Sequence, residues 1–128
     1  MNDLFIQDER EQENRYAAYL DGKCVGRASA ILVRETILIP HVEVDATVRD
    51  LGIGSLLVRR AFDDARNEGH TVLALCPFAR RWVDWHPNYR DVARTPKAGE
   101  LSAVNALVAA DRTMRHLHPQ SATATPHP

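Results

Sequence analysis

Short segments rich in apolar residues occupy the first third of the chain and are separated by polar or charged stretches. They predict strands at residues 4–6, 15–20, 24–33 and 37–44. The dipeptide Asp21-Gly22 is a strong signal for a two-residue hairpin turn. We therefore expect the first half of the chain to form an antiparallel meander with one apolar and one solvated face.

From about residue 55 the apolar residues follow the period of a helix. Apolar residues recur at three- and four-residue spacing, which predicts an amphipathic helix that starts near Ser55 and ends at Gly69. The residues of this apolar stripe are Leu56, Leu57, Ala61 and Ala65.

A short apolar run at residues 70–75 predicts a buried strand. Because a strand–helix–strand crossover pairs its strands in parallel, we expect this strand beside residues 41–44. A second helix is predicted at 78–85, with its apolar side formed by Phe78, Trp82 and Trp85.

These elements predict an α+β (mixed α/β) fold, a meander followed by a βαβ unit. The main domain is expected at residues 1–94. Apolar spacing predicts an added C-terminal helix at 95–118, which could pack on that domain, cover a sheet edge or mediate a homodimer. Residues 119–128 have the composition of a disordered tail.

Composition narrows the class of protein. A chain of 128 residues with a net charge of −1 is one domain without a field that attracts nucleic acid. No apolar run is long enough to cross a membrane, and no signal peptide is recognised, so we expect two free cysteines in the cytoplasm. The histidines near the C-terminus lack metal-ligand spacing, so no metal site is expected.

The turn before the first long helix, residues 49–54, has the chemistry of a phosphate site. Its two glycines allow close approach of the backbone, and the first N–H groups of a helix have no partner within it. Arg49 adds a cation. A P-loop lacks support because no lysine follows Gly54, and a dinucleotide fold lacks its third small residue because Leu57 stands there.

Four blocks carry a resemblance to a known family, in this order and spacing. They are His41-Val42-Glu43-Val44-Asp45, Arg49-x-x-Gly52-Ile53-Gly54-Ser55-x-Leu57-Val58, Cys76-Pro77-Phe78 and His86-Pro87-x-Tyr89. Over residues 15–92 the chain resembles the small single-domain proteins of the GNAT superfamily of acyltransferases. The resemblance implies a GNAT-like sheet in which two parallel strands, here 40–45 and 71–76, splay apart.

The resemblance also implies a cofactor, acetyl-CoA, whose pantetheine arm lies in the gap between the splayed strands. Its diphosphate is expected on the loop at the start of the first long helix. The residues expected to hold coenzyme A are Val42 and Val44 on the strand, followed by Arg49, Asp50, Leu51, Gly52, Ile53, Gly54 and Ser55.

Glu43 is the leading candidate for the base that deprotonates the attacking amine. It stands between apolar strand residues, where partial burial makes a carboxylate a stronger base. His41 lies two residues away, hence on the same side of a strand, and imidazole suits proton transfer near neutral pH. The alternative for both is a polar sheet edge that faces water or an ion-pair partner.

Cys76 and Tyr89 complete the candidate catalytic set, and each has a structural alternative. Cys76 could be a nucleophile that becomes acylated, a group lining the acyl pocket, or a small buried hydrophobe. Tyr89 stands where many GNAT enzymes have a tyrosine that protonates the departing CoA thiolate, but it could instead fix the second helix on the sheet.

The expected function is that of an acetyl-CoA-dependent N-acetyltransferase in which an amine attacks the thioester directly. The acceptor, a small-molecule or peptide amine, is left open by the sequence. The alternative is a CoA-binding sensor or interaction module with little turnover, because the segment after residue 94 replaces strands that usually shape the acceptor site.

Overall fold

The computed structural model describes residues 3–96 and Ala106, and the α+β layout expected from the sequence is confirmed. Four strands form one sheet in the order β1-β2-β3-β6, and three form a second in the order β4-β5-β7. The elements are β1 (Leu4–Glu9), α1 (Arg10–Glu13), β2 (Arg15–Leu20), β3 (Lys23–Ser29), β4 (Ile31–Val33), β5 (Thr36–Ile39), β6 (Val42–Val44), a 3₁₀ helix (Ala46–Leu51), α2 (Ile53–Glu68), β7 (Thr71–Ala74), α3 (Pro77–Trp85) and a 3₁₀ turn (Pro87–Tyr89).

The antiparallel meander is present, and its first turn is the predicted one. Asp21 and Gly22 both have positive φ, 51° and 85°, as a type I′ hairpin turn requires. β1 is longer than expected, because it pairs with β2 from Leu4 opposite Leu20 to Glu9 opposite Arg15. Its polar second half remains in the sheet because Glu9 forms an ion pair with Arg15 across the strands.

The prediction of two long unbroken strands, at 24–33 and 37–44, is wrong. Ile31 lies opposite Leu38 in one sheet, whereas Ala28 lies opposite Val42 in the other. From Ala28 to Ile31 the chain advances three residues, whereas from Leu38 to Val42 it advances four. The segment Pro40-His41 therefore contains one extra residue. Such a bulge bends a strand, and here it divides one continuous sheet into two.

The bulge also explains why β7 pairs with a different strand from the one expected. β7 pairs in parallel with β5, from Thr36 opposite Thr71 to Ile39 opposite Ala74, and not with residues 41–44. The crossover through α2 is as expected, but beyond Ile39 the chain pairs with β3 and no longer with β7.

The main core lies between α2, α3 and one face of both sheets. α2 begins at Ile53, two residues before the predicted start, and ends at Gly69 as predicted. Leu56, expected on the stripe that faces the core, and Trp85, expected on the apolar side of the second helix, are 39% and 66% exposed. Helical spacing identifies the side of a helix but not where its neighbour ends, and Trp85 is the last residue of α3.

Among the described residues, no helix is long and apolar enough to cross a membrane. The predicted C-terminal helix and tail, residues 95–118 and 119–128, lie outside the described part of the chain apart from residues 95, 96 and 106.

Candidate active site at the divergence of the strands

The two sheets diverge at a single carbonyl group. The oxygen of Ile39 accepts hydrogen bonds from the N–H groups of both Leu75 and Cys76, at 3.0 and 3.1 Å. Immediately afterwards the carbonyl of His41 accepts from Ser29 N–H at 2.9 Å, so the chain has joined β3. A notch therefore opens between β6 and the carboxyl end of β7.

One edge of β6 faces this notch. Asp45 N–H donates to Val25 and the carbonyl of His41 accepts from Ser29, so alternate residues of β6 point toward β3. The backbone groups of Val42 and Val44 consequently point the other way. β6 is an edge strand of its sheet within the described residues. The edge thus offers N–H and C=O groups for an extended molecule to pair with.

The amino terminus of α2 lies just after this strand. Gly52 is its N-cap residue, with φ 69°, and makes no side-chain capping bond. The nearby Asp45 carboxylate instead caps the preceding 3₁₀ helix through Thr47 N–H at 3.0 Å. The first N–H groups of α2 therefore have no side-chain partner, and the anion site at this position stays a prediction. Arg49, Asp50, Leu51 and Gly52 are exposed beside it, whereas Ile53 and Gly54 are buried.

Ser55, expected to bind coenzyme A, makes a contact within the protein that the sequence did not indicate. Its hydroxyl oxygen accepts a hydrogen bond from Trp82 Nε1 at 2.8 Å. The Trp82 ring in turn stacks on His86, with 4.0 Å between centroids. This contact fixes α3 against the first turn of α2, so the two helices border the loop together.

Glu43 lies on the face of β6 that is turned away from the core, since Val42 and Val44 are buried on the other face. Its side chain is 15% exposed, and Oε1 is 3.5 Å from Nε of Arg27 on β3. Both residues line a cleft of about 280 Å³, whose other lining residues are Cys24, Val25, Gly26, Val44, Asp45 and Ala46. His41 is half-buried at the bulge and lies two residues before Glu43, which is the spacing of side chains on one face of a strand.

Cys76 lies at the notch but is turned into the core. It is 2% exposed, belongs to the main apolar cluster and is the N-cap residue of α3 without a side-chain capping bond. Its backbone N–H is the one that bonds to Ile39, so its position depends on the divergence of the strands.

Tyr89 is held by α2 rather than directed freely toward the notch. Its hydroxyl donates to Asp63 Oδ1 at 2.7 Å and accepts from Arg59 Nη1 at 3.4 Å. The hydrogen bond to Asp63, and then burial, raise the pKa of this phenol above its ordinary value of 10.0. A phenol that holds its proton more tightly is a weaker acid, so this geometry favours the structural role that the sequence left open.

Sequence reasoning missed Arg27 as a partner of Glu43 because their register depends on the bulge at Pro40. It also missed Asp63 and Arg59 as partners of Tyr89, although both lie on the predicted helix. No group of three or more metal-ligating side chains is found among residues 3–96.

Comparison with known proteins agrees with the fold. The GCN5-related N-acetyltransferase family matches residues 15–92. A GCN5-like protein from Staphylococcus aureus, solved by NMR, has a TM-score of 0.59 at 22% identity, over 77% of this chain and 96% of that one. The GNAT-like fold implied by the resemblance is therefore confirmed. Comparison with curated proteins gives no match.

Two further solved structures align less fully. The ribosomal-protein-S18-alanine N-acetyltransferase from Escherichia coli has a TM-score of 0.46 and 14% identity, over 56% of this chain and 64% of that enzyme. An aminoglycoside acetyltransferase from an uncultured soil metagenomic sample has a TM-score of 0.47 and 20% identity, over 70% and 69% of the two chains. This chain thus spans less than two thirds of the Escherichia coli enzyme. Because the family match extends over more than half of the sequence, the protein belongs to the GCN5-related N-acetyltransferase family.

Proposed function

We propose that the protein is an acetyl-CoA-dependent N-acetyltransferase in which an amine attacks the thioester directly. The observation that carries this proposal is the edge of β6 at Val42 and Val44, which lies beside the uncapped amino terminus of α2. A strand edge suits an amide-containing arm, and a helix amino terminus suits a diphosphate. Arg49 and the backbone of residues 52–55 would hold the diphosphate.

The chemistry follows from these groups. Acetyl-CoA supplies an acetyl thioester, whose C–S bond breaks as the amine nitrogen forms the new C–N bond. The N–H of Val42 or Val44 donates to the oxygen on which negative charge develops. Glu43, directly or through water, accepts the proton that the amine must lose. His41 is the second candidate for that step.

The departing thiolate also needs a proton. Tyr89 remains a candidate for supplying it, but the hydrogen bond to Asp63 makes the solvent or the released amine proton a simpler source. Cys76 serves as part of the apolar wall at the acyl end, because a thiol that is 2% exposed is poorly placed to attack. Both cysteines are free in the structure, which fits a reducing cytoplasm.

Calorimetry with coenzyme A tests the cofactor, and thiol release from acetyl-CoA in the presence of an amine panel tests transfer. A micromolar dissociation constant, worth about 8 kcal/mol, is expected. Folded protein that binds no coenzyme A at roughly millimolar concentration would refute the proposal. Binding without transfer to any small amine, polyamine or peptide would favour a CoA-binding module instead.

A further inference from the structure

Arg27 and Glu43 form an open ion pair on the sheet face that is turned away from α2. Arg27 Nε and Glu43 Oε1 are 3.5 Å apart, yet the two atoms make no hydrogen bond with each other. Both atoms are buried, and neither has a hydrogen-bond partner among the described residues. Ser29, two residues after Arg27 and on the same face of β3, is only 1% exposed, and its Oγ also has no hydrogen-bond partner among the described residues.

A second arginine–glutamate pair on the same sheet shows what a closed pair looks like. Arg15 Nε donates to Glu9 Oε1 at 2.8 Å, and Tyr19 Oη donates to the other carboxylate oxygen at 2.6 Å. The two pairs are similarly covered, since the side chains of Arg15 and Glu9 are 21% and 12% exposed and those of Arg27 and Glu43 are 30% and 15% exposed. Burial alone therefore does not explain the open pair.

Buried polar groups are almost always hydrogen-bonded, so an open pair at a cleft suggests a ligand that completes it. Because Arg27 Nε and Glu43 Oε1 are themselves buried, such a ligand meets the exposed part of each side chain, 30% for Arg27 and 15% for Glu43. It presents a donor to the carboxylate and an acceptor to the guanidinium, a few ångströms apart. Guanidinium binds a carboxylate more strongly than a neutral carbonyl, because the hydrogen bonds are charge-assisted. An ammonium group and a carboxylate on one carbon atom meet both requirements.

The cleft and its position agree with a ligand of that size. Its volume of about 280 Å³ is at the small end of ligand sites. It is lined by Glu43 and Val44, and Val44 also presents its backbone to the notch. An amine held by Glu43 is therefore next to the place where the thioester is expected.

We propose that the acetyl acceptor is a free α-amino acid, with its amine on Glu43 and its carboxylate on Arg27. This inference rests on the proposed function, and it assigns Arg27 as the residue that determines acceptor specificity. The ammonium group first gives a proton to Glu43. The free amine then forms the C–N bond as the C–S bond of the thioester breaks and coenzyme A leaves as the thiolate, which takes up a proton. The acceptor carboxylate stays on Arg27 throughout.

The test compares three matched acceptors with saturating acetyl-CoA: L-alanine, L-alaninamide and ethylamine. We expect kcat/KM for alanine to exceed that for the other two by about tenfold or more, since a site built to bond a group rejects analogues that lack it. Arg27→Gln should lower kcat/KM for alanine about tenfold and that for ethylamine far less. Arg27→Lys, which keeps the charge, should restore part of the preference.

Arg15→Gln is the matched control, because it removes an arginine of a closed pair from the same sheet face. It should leave the ratio of alanine to ethylamine rates unchanged. Equal rates for the three acceptors, or an equal loss for alanine and ethylamine in Arg27→Gln, would overturn the inference.

Binding without turnover separates this inference from the proposed function. In CoA-loaded protein, alanine should shift the NMR amide signals of residues 24–27 and 43–46, and ethylamine should not. Coenzyme A binding with transfer only to amines that lack a carboxylate would refute the amino-acid acceptor and leave the acetyltransferase proposal intact. Selective alanine binding without coenzyme A binding would refute the acetyltransferase and, with it, the role of the amino acid as acetyl acceptor, and would leave an amino-acid-binding site.

Discussion

Both ends of α2 have a glycine in the left-handed conformation, but the polar groups of the helix are satisfied within the protein at only one of them. A glycine with positive φ stands at each end, Gly52 at 69° and Gly69 at 76°. At the carboxyl end, His70 N–H bonds to Ala65 and Gly69 N–H to Arg66, which is a Schellman motif. At the amino end no side chain caps the helix, and the neighbouring loop is exposed.

Side chains repeat this contrast. Beside the carboxyl end, Arg10 makes paired hydrogen bonds to both Asp8 and Glu68, at 2.8 to 3.0 Å. On β6, the strand that precedes the amino end, Glu43 Oε1 remains 3.5 Å from Arg27 Nε, on the sheet face turned away from α2. The closed end, where polar groups satisfy one another, stabilises the fold. The open end presents polar groups whose partners we assign to coenzyme A and the acceptor.

The largest expected effect is on catalysis at the open end. Glu43→Gln should lower kcat about a hundredfold, as the loss of a general base does. Stability should change little, because Glu43 Oε1 and Arg27 Nε make no hydrogen bond with each other. Steady-state rates and thermal unfolding check this. Unchanged turnover across the pH range would remove Glu43 as the base and leave His41.

Gly26→Ala should disturb the packing of β3 against β6 and the amino end of α2. A Cβ at this position would lie 3.1 Å from Ile53 Cγ2 and 3.2 Å from the backbone oxygen of Glu43. Overpacking of this kind costs about 1–3 kcal/mol. We expect a lower Tm together with lower activity. Full stability in denaturant titration would show that α2 and β6 can separate at little cost.

Gly52→Ala and Gly69→Ala form a matched pair, since both glycines have positive φ and a Cβ at either position would meet nothing within 4 Å. Each should lose about 1–2 kcal/mol of unfolding free energy through backbone strain. Only Gly52→Ala should also weaken coenzyme A binding in calorimetry. Equal affinity in both variants would contradict the phosphate site at the amino end.

Tyr89→Phe distinguishes a structural from a catalytic tyrosine. Loss of the hydrogen bond to Asp63 should lower stability by about 1 kcal/mol, while kcat stays close to that of the wild type. A drop of about tenfold or more in kcat, with stability preserved, would restore Tyr89 as the acid that protonates the thiolate.

The smallest expected effect concerns acid stability at the closed end. Hydrogen bonds from Arg10 lower the pKa of Asp8 and Glu68 from ordinary values of 3.8 and 4.5. A lowered folded-state pKa stabilises the protein above those values, and this contribution is lost as the pH falls through the folded-state values.

Arg10→Gln should therefore reduce stability near neutral pH by less than about 1 kcal/mol, because Glu68 is 39% exposed and partly screened. The difference from wild type should shrink below about pH 4, which urea titrations at several pH values would show. A difference that stays constant down to strong acid would mean that packing, not charge, holds Arg10.

Local chemistry made part of this structure predictable from the sequence. Asp21-Gly22 predicted its hairpin and Gly69 its helix end, because each depends on the conformational range of one or two residues. The loop of residues 49–54 was recognisable for the same reason, and its phosphate chemistry stays a prediction. The family followed from four ordered blocks, the first of which also contains Glu43.

Only the tertiary structure decided where the sheet divides and what faces Glu43. The residues that face the main core change from odd to even positions between Ile39 and Val42, as the bulge requires. The continuous apolar run at 37–39 does not show this change and does not tell which strand each edge will join. Whether Arg27 meets Glu43, or Trp85 is covered, depends on registers between segments distant in the chain. Those registers are set by the packing of both sheets against α2, and a pattern within one segment carries no information about its partner.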